Sequence, residues 1–376
     1  MNVPSNEELE ILRNGVRAFT RDRKDHRRLR ELRHGATGYS KDVAAHFSAM
    51  EWNGILFPEE LGGSATGFSA MAVILEELGK GLIADPLVSS AVLAGRTLQY
   101  CGSQSLKESL LPRIADGTLT ASLAWQEKAG SLDVSGVQTT ASLSADCVTL
   151  NGKKRFVAGP DASGFVVSAR TNDATAVVWV PRETPGLGLQ IEWRADGTPV
   201  GELNLHKVSV PVENLAAGAD VALARAVDEA SIMVCAEMLG VMRAALDITT
   251  EYMRNRVQFG RPIGSFQALQ HKAVDLFIQQ ELASAVVAEA AELLDKAPTL
   301  EDRTRMVARA KSRCNDACLR ITRESIQLHG GIGTTDECDI GLYFKRALTL
   351  SAWLGSSPTQ RRRYAPFARQ ECEQNV

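Results

Sequence analysis

Arg256-Val257-Gln258-Phe259-Gly260-Arg261-Pro262-Ile263-Gly264-Ser265-Phe266-Gln267 is a short polar joint between two long segments of helical periodicity. Upstream, Val227–Arg256 repeats apolar residues at helical spacing; downstream, Ser265–Lys296 and then Leu300–His329 do the same. Each segment is about 30 residues, hence roughly 45 Å long at 1.5 Å per residue. Ser265 and Thr299 stand where N-caps belong, and Asp302 follows Thr299 at capping-box spacing. Short Gly- or Pro-bearing joints between such helices favour an antiparallel bundle.

Moving towards the N-terminus, the texture changes twice. Between about Thr118 and Asn214 lie short β-branched or aromatic runs: Ala121–Trp125, Cys147–Leu150, Arg155–Val157, Phe165–Ser168, Ala176–Val180 and Val208–Pro211. Asn151-Gly152 and Gly159-Pro160 read as turns between them, so an antiparallel barrel or sandwich is expected. Before that, helical spacing returns in Glu7–Arg33, Lys41–Trp52, Phe68–Leu82, Leu87–Tyr100 and Gln104–Ile114. The expected fold class is α+β in three parts: an N-terminal helical domain (1–119), a middle β domain (120–215) and a C-terminal long-helix bundle (216–376). The 376-residue length suits several packed domains.

Composition excludes several classes. A formal net charge of −3 gives no basic excess for general nucleic-acid binding. No run approaches the roughly 18 apolar residues of a membrane helix. Met1–Glu8 offers no basic head followed by an apolar block, and the seven cysteines are odd in number and dispersed. A reducing, cytoplasmic setting is expected. Cys314 and Cys318 sit four apart on a helix without a second Cys/His pair nearby, so they read as buried thiols and no metal site is read. The basic stretch Arg21, Arg23, Lys24, Arg27, Arg28, Arg30 and Arg33 lacks aromatic platforms and reads as a solvated helix face. Met238, Met242 and Met253 read as core fill.

Chemistry concentrates in two places: the Arg256–Gln267 joint and Gln327-Leu328-His329-Gly330-Gly331-Ile332-Gly333 at the end of the third long helix. An Arg leaving one helix and a Gln entering the next can face one groove, and paired glycines admit a ligand close to the backbone. A guanidinium fork with backbone amides suits a pyrophosphate. Each piece alone also has a plainer reading: Gly-Gly as a helix C-cap, Arg256 as a solvated charge. His271 and His329 can line such a groove or simply pack.

Together, on an α–β–α chain of this length, these segments resemble the acyl-CoA dehydrogenase family. Phe57-Pro58-Glu59-Glu60-Leu61-Gly62-Gly63, Glu127 to Gly136, and Gly152-Lys153-Lys154-Arg155-Phe156-Val157-Ala158-Gly159 extend the likeness over nearly the whole chain. The resemblance implies FAD as cofactor and oxidation of an acyl-CoA thioester to the 2,3-enoyl-CoA, in fatty acid or sterol side-chain β-oxidation. It makes Arg256 the pyrophosphate arginine, Phe259 its adenine-side neighbour and Gln267 the glutamine of the following helix. Gln327, Gly330 and Gly331 match the Gln-x-x-Gly-Gly loop, which reaches the FAD of an adjacent subunit in relatives. On the flavin-facing side, Gln126 replaces a Thr or Ser, Phe156-Val157-Ala158 replaces Trp-Ile-Thr, and Leu132 takes a serine position; an altered or empty flavin pocket is implied.

The resemblance also exposes a gap. Counted from Gly330-Gly331, the glutamate of the family's Tyr-Glu-Gly-Thr stretch falls on Leu354, which cannot accept a proton. The other family position for a base, on the first long bundle helix, falls on Ala230, with Asp228 and Glu229 beside it. One residue is about 100° of helix, so Glu229 is a fallback base at most, and both acids read as solvated near a helix N-terminus. No catalytic residue is therefore assigned. Some bacterial members are α2β2 heterotetramers in which one subunit type keeps the base and the other supplies the trans half of the FAD site. Gln126-Glu127-Lys128 and Gly341-Leu342-Tyr343-Phe344-Lys345-Arg346 resemble that second, shorter type. The expected partners are a second family subunit (or a further copy of this chain), an acyl-CoA substrate and, by analogy, electron-transfer flavoprotein. The alternatives are a self-sufficient homotetramer using Glu229, and a non-redox scaffold.

Overall fold

The computed structural model describes residues 4–32, 41–83, 86–172 and 174–374. Its helices are α1 (Asn6–Arg23), α2 (His26–Leu32), α3 (Lys41–Ala49), α4 (Phe68–Gly81), α5 (Arg96–Cys101), α6 (Gln104–Ala115), α7 (Asp220–Asn255), α8 (Gln267–Asp295), α9 (Leu300–His329), α10 (Ile340–Ala352) and α11 (Ser357–Gln374). Its strands are β1 (Ala121–Ala124), β2 (Thr140–Leu143), β3 (Cys147–Ala158), β4 (Gly164–Arg170), β5 (Thr175–Pro181), β6 (Leu187–Trp193), β7 (Pro199–Pro211), β8 (Leu215–Ala217), β9 (Val257–Gln258) and β10 (Arg261–Pro262). A π-helical stretch, Leu87–Gly95, runs directly into α5. The chain forms two compact units: Glu31–Gly67 with Ala84–Ala230, and Pro4–Arg30 with Phe68–Ile83 and Ser231–Val376. The division falls inside α7. No described helix is long and apolar enough to cross a membrane.

In the first unit, eight strands form one sheet in the order β6-β7-β3-β2-β4-β5-β8, with β1 pairing β4 in parallel. The expected antiparallel barrel or sandwich is corrected here: the sheet is mixed and open. Among the described residues β6 and β8 form the two edges, while β1 and the end of β2 share one side of β4. Asn151-Gly152 is not a turn either. β3 passes straight through it with a register shift against β7, and Gly152 takes φ 151°. Val148, Leu150, Phe165, Val167, Val178, Leu203, Leu205 and Val208 form the buried core.

In the second unit the expected single helix Glu7–Arg33 is two, because Lys24 adopts an extended ψ of 106° after α1. Of the basic stretch, Arg21, Arg23, Lys24 and Arg27 are exposed and Arg30 pairs with Asp339 at 2.8 Å. Arg33 and the Arg28 side chain lie outside the described residues. α1 docks on α4 through Arg13, 3.0 Å from both Glu76 and Glu77. α4 crosses α7 at two glycines: a Cβ on Gly240 would stand 1.9 Å from the Glu76 carbonyl, and one on Gly79 2.4 Å from that of Glu237. Thr299 caps α9, its hydroxyl accepting from the Asp302 N–H at 3.1 Å. The expected cap at Ser265 is replaced by Phe266; Ser265 ends a 3₁₀ turn and bonds the Pro262 carbonyl. The pairs Lys272–Glu324 and Glu289–Arg309 show that α8 and α9 run antiparallel. Cys235, Cys314 and Cys318 are buried free thiols.

Candidate functional site

α7 ends at Asn255, and Arg256 leaves it with its N–H on the Tyr252 carbonyl. β9 and β10 then form a hairpin whose two-residue turn is Phe259-Gly260, both at positive φ (54° and 76°). Such a turn matches the strand twist but strains a non-glycine residue. It carries the Phe259 ring outward, 92% exposed. At the far end of α9, Gly330 closes the helix at φ 67°. A Cβ on Gly330 or Gly331 would meet nothing within 4 Å. The fold demands glycine at 330 through φ; at 331 nothing among the described residues does.

These segments frame a cleft of about 630 Å³ lined by Tyr252, Arg256, Lys272, Gln327, His329, Gly330 and Gly331, among others. Arg256 and Lys272 are its cations, and among the described residues no carboxylate lines it. Among the described residues the Arg256 guanidinium has no hydrogen-bond or ion-pair partner. The back wall is rigid. Tyr252 stacks on His329 at 4.4 Å and donates its hydroxyl to the His329 carbonyl at 3.2 Å. His329 Nδ1 lies 2.7 Å from the Ser325 carbonyl, which only accepts, so Nδ1 carries the proton. Burial lowers the His329 pKa, leaving a neutral ring at pH 7. An aromatic wall in the same cleft as an unpaired guanidinium suits an aromatic, phosphate-bearing ligand.

Of the residues expected at the site, Arg256, Gln327, Gly330 and Gly331 meet in this cleft. Phe259 and Gln267 do not line it; Phe259 projects from the hairpin and Gln267 is exposed at the start of α8. His329 lines it and His271 does not. Tyr252 and Lys272 were not foreseen. Tyr252 stands one helical turn before Arg256, a spacing that puts both on one face.

Gln126 and Phe156 belong to the other unit. Gln126 lines a pocket of about 160 Å³ with Glu127, Lys128, Ser131 and Asp133, and its amide donates to the Ser131 carbonyl at 2.9 Å. Glu127 accepts from the Gln138 and Thr139 N–H groups and from Lys154, whose ammonium is 2.6 Å away. Lys154 is fully buried, and burial pushes its pKa down to about 8; Glu127 is held below the usual carboxylate range despite its burial by the Lys154 and Thr139 hydrogen bonds. Phe156 does not line this pocket; half-buried at φ 57°, it lies under the Arg155 guanidinium at 4.8 Å.

At the two positions where the family resemblance would put a base, the residues are buried. Leu354 is 1% exposed at φ 56°, its carbonyl held by the Gln360 amide at 2.9 Å. Ala230 is buried. Asp228 and Glu229 are buried too, well inside α7, which corrects their expected solvated place near a helix start: α7 begins at Asp220. Glu229 is bound by Arg96 at 3.1 Å, by Arg225 at 2.9 Å and by the Tyr100 hydroxyl at 2.5 Å. Burial, with Glu229 alongside, pushes the Tyr100 phenol well up. The Glu229 carboxylate is thus shared by two guanidiniums and a phenol, with three of the contacts on Oε1 and one on Oε2.

Residues 6–118 match the acyl-CoA dehydrogenase N-terminal domain and residues 216–367 the acyl-CoA dehydrogenase C-terminal domain. Probable acyl-CoA dehydrogenase YngJ of Bacillus subtilis is 32% identical over 82% of this chain and 84% of its own. The ChsE4-ChsE5 complex from Mycobacterium tuberculosis superposes with TM-score 0.88 at 26% identity, covering 99% of both chains. A variant of the Tcur3481-Tcur3483 steroid ACAD gives 0.87 at 28%, covering 98% and 99%. Members of the family bind FAD. With both family domains matched and the fold shared end to end, the chain belongs to the acyl-CoA dehydrogenase family.

Proposed function

We propose that this chain supports FAD-dependent α,β-dehydrogenation of an acyl-CoA thioester by completing the FAD site of a catalytic partner subunit, and that it has no base of its own. One observation carries the reading: an open cationic cleft coexists with a buried leucine at the base position.

The two halves of the chain fit FAD differently. The unpartnered Arg256, the open Cβ positions at Gly330 and Gly331 and the 630 Å³ volume suit the phosphates and the adenosine end. The pocket beside Gln126, at about 160 Å³, is smaller than the roughly 300 Å³ at which small-molecule pockets begin. The Gln126 amide is also committed to Ser131. Bound FAD supplies the hydride acceptor of the reaction. This chain's part is electrostatic and positional: Arg256 offers a bidentate fork to phosphate, Gly331 leaves its backbone approachable, and Tyr252 with His329 fixes the floor. Proton removal falls to the partner, because Leu354 has no basic atom and Glu229 is engaged.

The exposed apolar side chains of α8, Val274, Phe277, Ile278 and Leu282, recur at helical spacing and suit burial against another subunit. The names ChsE4-ChsE5 complex and steroid ACAD extend the proposal to a heteromeric assembly acting on bulky CoA thioesters such as sterol side chains. Electron-transfer flavoprotein is proposed as acceptor by family analogy.

The test is a flavin absorbance spectrum of the purified chain, alone and co-expressed with a glutamate-bearing family member. The chain alone is expected to be colourless and the complex yellow, with Arg256→Ala bleaching the complex. A chain that is yellow alone and turns over a CoA ester refutes the proposal.

A further inference from the structure

Lys272 and Glu324 join α8 to α9 with nitrogen and oxygen 3.3 Å apart, their side chains 51% and 30% exposed. Lys272 lines the cleft; Glu324, one helical turn before Gln327, does not. We infer that Lys272 is the second phosphate-binding cation of the cleft and that Glu324 is its displaceable counter-ion, released when a dinucleotide enters. The inference rests on the cleft being a dinucleotide site.

Charge balance motivates it. A pyrophosphate carries about two negative charges, and Arg256 supplies one positive charge. Lys272 is the other cation of the lining, and Glu324 pairs with it across the α8–α9 seam. An exposed pair of this kind is weak and easily exchanged. The lysine's four-carbon stem lets the ammonium swing between partners without moving the helix. Phosphate oxygens beside Arg256 then compete directly with the carboxylate for the same donor. A pair that served only as a strut between α8 and α9 would behave otherwise: loss of either residue would act in the same direction.

The experiment is calorimetric titration of the full-length chain with ADP, a soluble probe for the anionic half of FAD, at low and moderate salt. Lys272→Gln is expected to weaken ADP binding roughly threefold to tenfold and to flatten its salt dependence. Glu324→Gln is expected to tighten it about twofold to fivefold. Arg256→Ala is expected to cause the largest loss. If Lys272→Gln and Glu324→Gln shift affinity in the same direction, or not at all, while Arg256→Ala abolishes binding, the counter-ion inference is wrong and the cleft reading survives. If Arg256→Ala changes nothing, or the unaltered chain does not bind ADP at millimolar concentration, the cleft reading itself fails.

Discussion

Lys311 gives the sharpest physical test. It is fully buried on α9, and its ammonium donates to two neutral oxygens, Asn315 Oδ1 and the Leu350 carbonyl, each at 2.8 Å. The groups facing it are the thiols of Cys235 on α7 and of Cys314 and Cys318 on α9, with Glu237 on α7 already engaged by Arg346 at 2.6 Å. Burial pushes the Lys311 pKa down to about 8 from an ordinary 10.5. At about 1.4 kcal/mol per unit, holding this charge in the interior costs the folded state about 3 kcal/mol. The sign follows from proton linkage. Below pH 8 both folded and unfolded chains keep the proton, and the full cost applies. Between about pH 8 and 10.5 the folded chain releases it first, so stability contributed by this residue rises with pH, by at most about 1.4 kcal/mol per pH unit. Lys311→Met removes the charge but leaves two oxygens without their donor, at about 1–3 kcal/mol each, so its stability at pH 7 is expected to stay within a few kcal/mol of the original. The diagnostic quantity is the difference between the two proteins in urea-unfolding free energy at pH 7, 8, 9 and 10, in which titrations not coupled to Lys311 cancel. It should move by about 2.5 kcal/mol towards the lysine protein across that range. A difference that stays flat refutes the reasoning, as does a directly titrated Lys311 carbon shift with a midpoint near 10.5.

Three further outcomes are expected. Gly240→Ala places a methyl 1.9 Å from the Glu76 carbonyl and should cost about 1–3 kcal/mol or more, read as a fall in melting temperature; an unchanged melting point contradicts the α4–α7 crossing. Gly331→Ala meets nothing within 4 Å and should leave stability within about 0.5 kcal/mol while lowering the flavin content of the assembled complex. Arg96→Met strips one guanidinium from the buried Glu229 and should cost about 3–5 kcal/mol in denaturant unfolding, part of it recovered by adding Glu229→Gln; a loss below 1 kcal/mol would show that the network is not needed.

What could be read from the chain is what local physics writes. The α+β class, the long helices and the Thr299 cap follow from periodicity and from one hydroxyl, signals that span a few residues. Asn151-Gly152 misleads because an Asn-Gly pair signals a turn only when the strands on either side pair with each other. Here both halves of β3 pair with β7, some fifty residues away in sequence, so the same glycine makes a bulge. β6 escapes notice because most of it is exposed at a sheet edge, where no apolar alternation is needed. Arg256, Gln327, Gly330 and Gly331 are legible as motifs, and all four line one cleft. The engagement of Glu229 is legible only in part: Arg225 stands one turn before it on α7, but the buried partner does not show in the sequence. Its arginine partner Arg96 is 133 residues distant, and no spacing rule connects a residue behind a π-helical stretch to one deep inside α7.

The Phe259-Gly260 turn bears on how a cell must handle this polypeptide. An almost naked aromatic ring on a strained hairpin tip, together with the oily stripe of α8, is an adhesive surface when left uncovered. On the proposed subunit role, copies made in excess of the covering chain are expected to self-associate, so soluble yield should rise when the two chains are synthesised together.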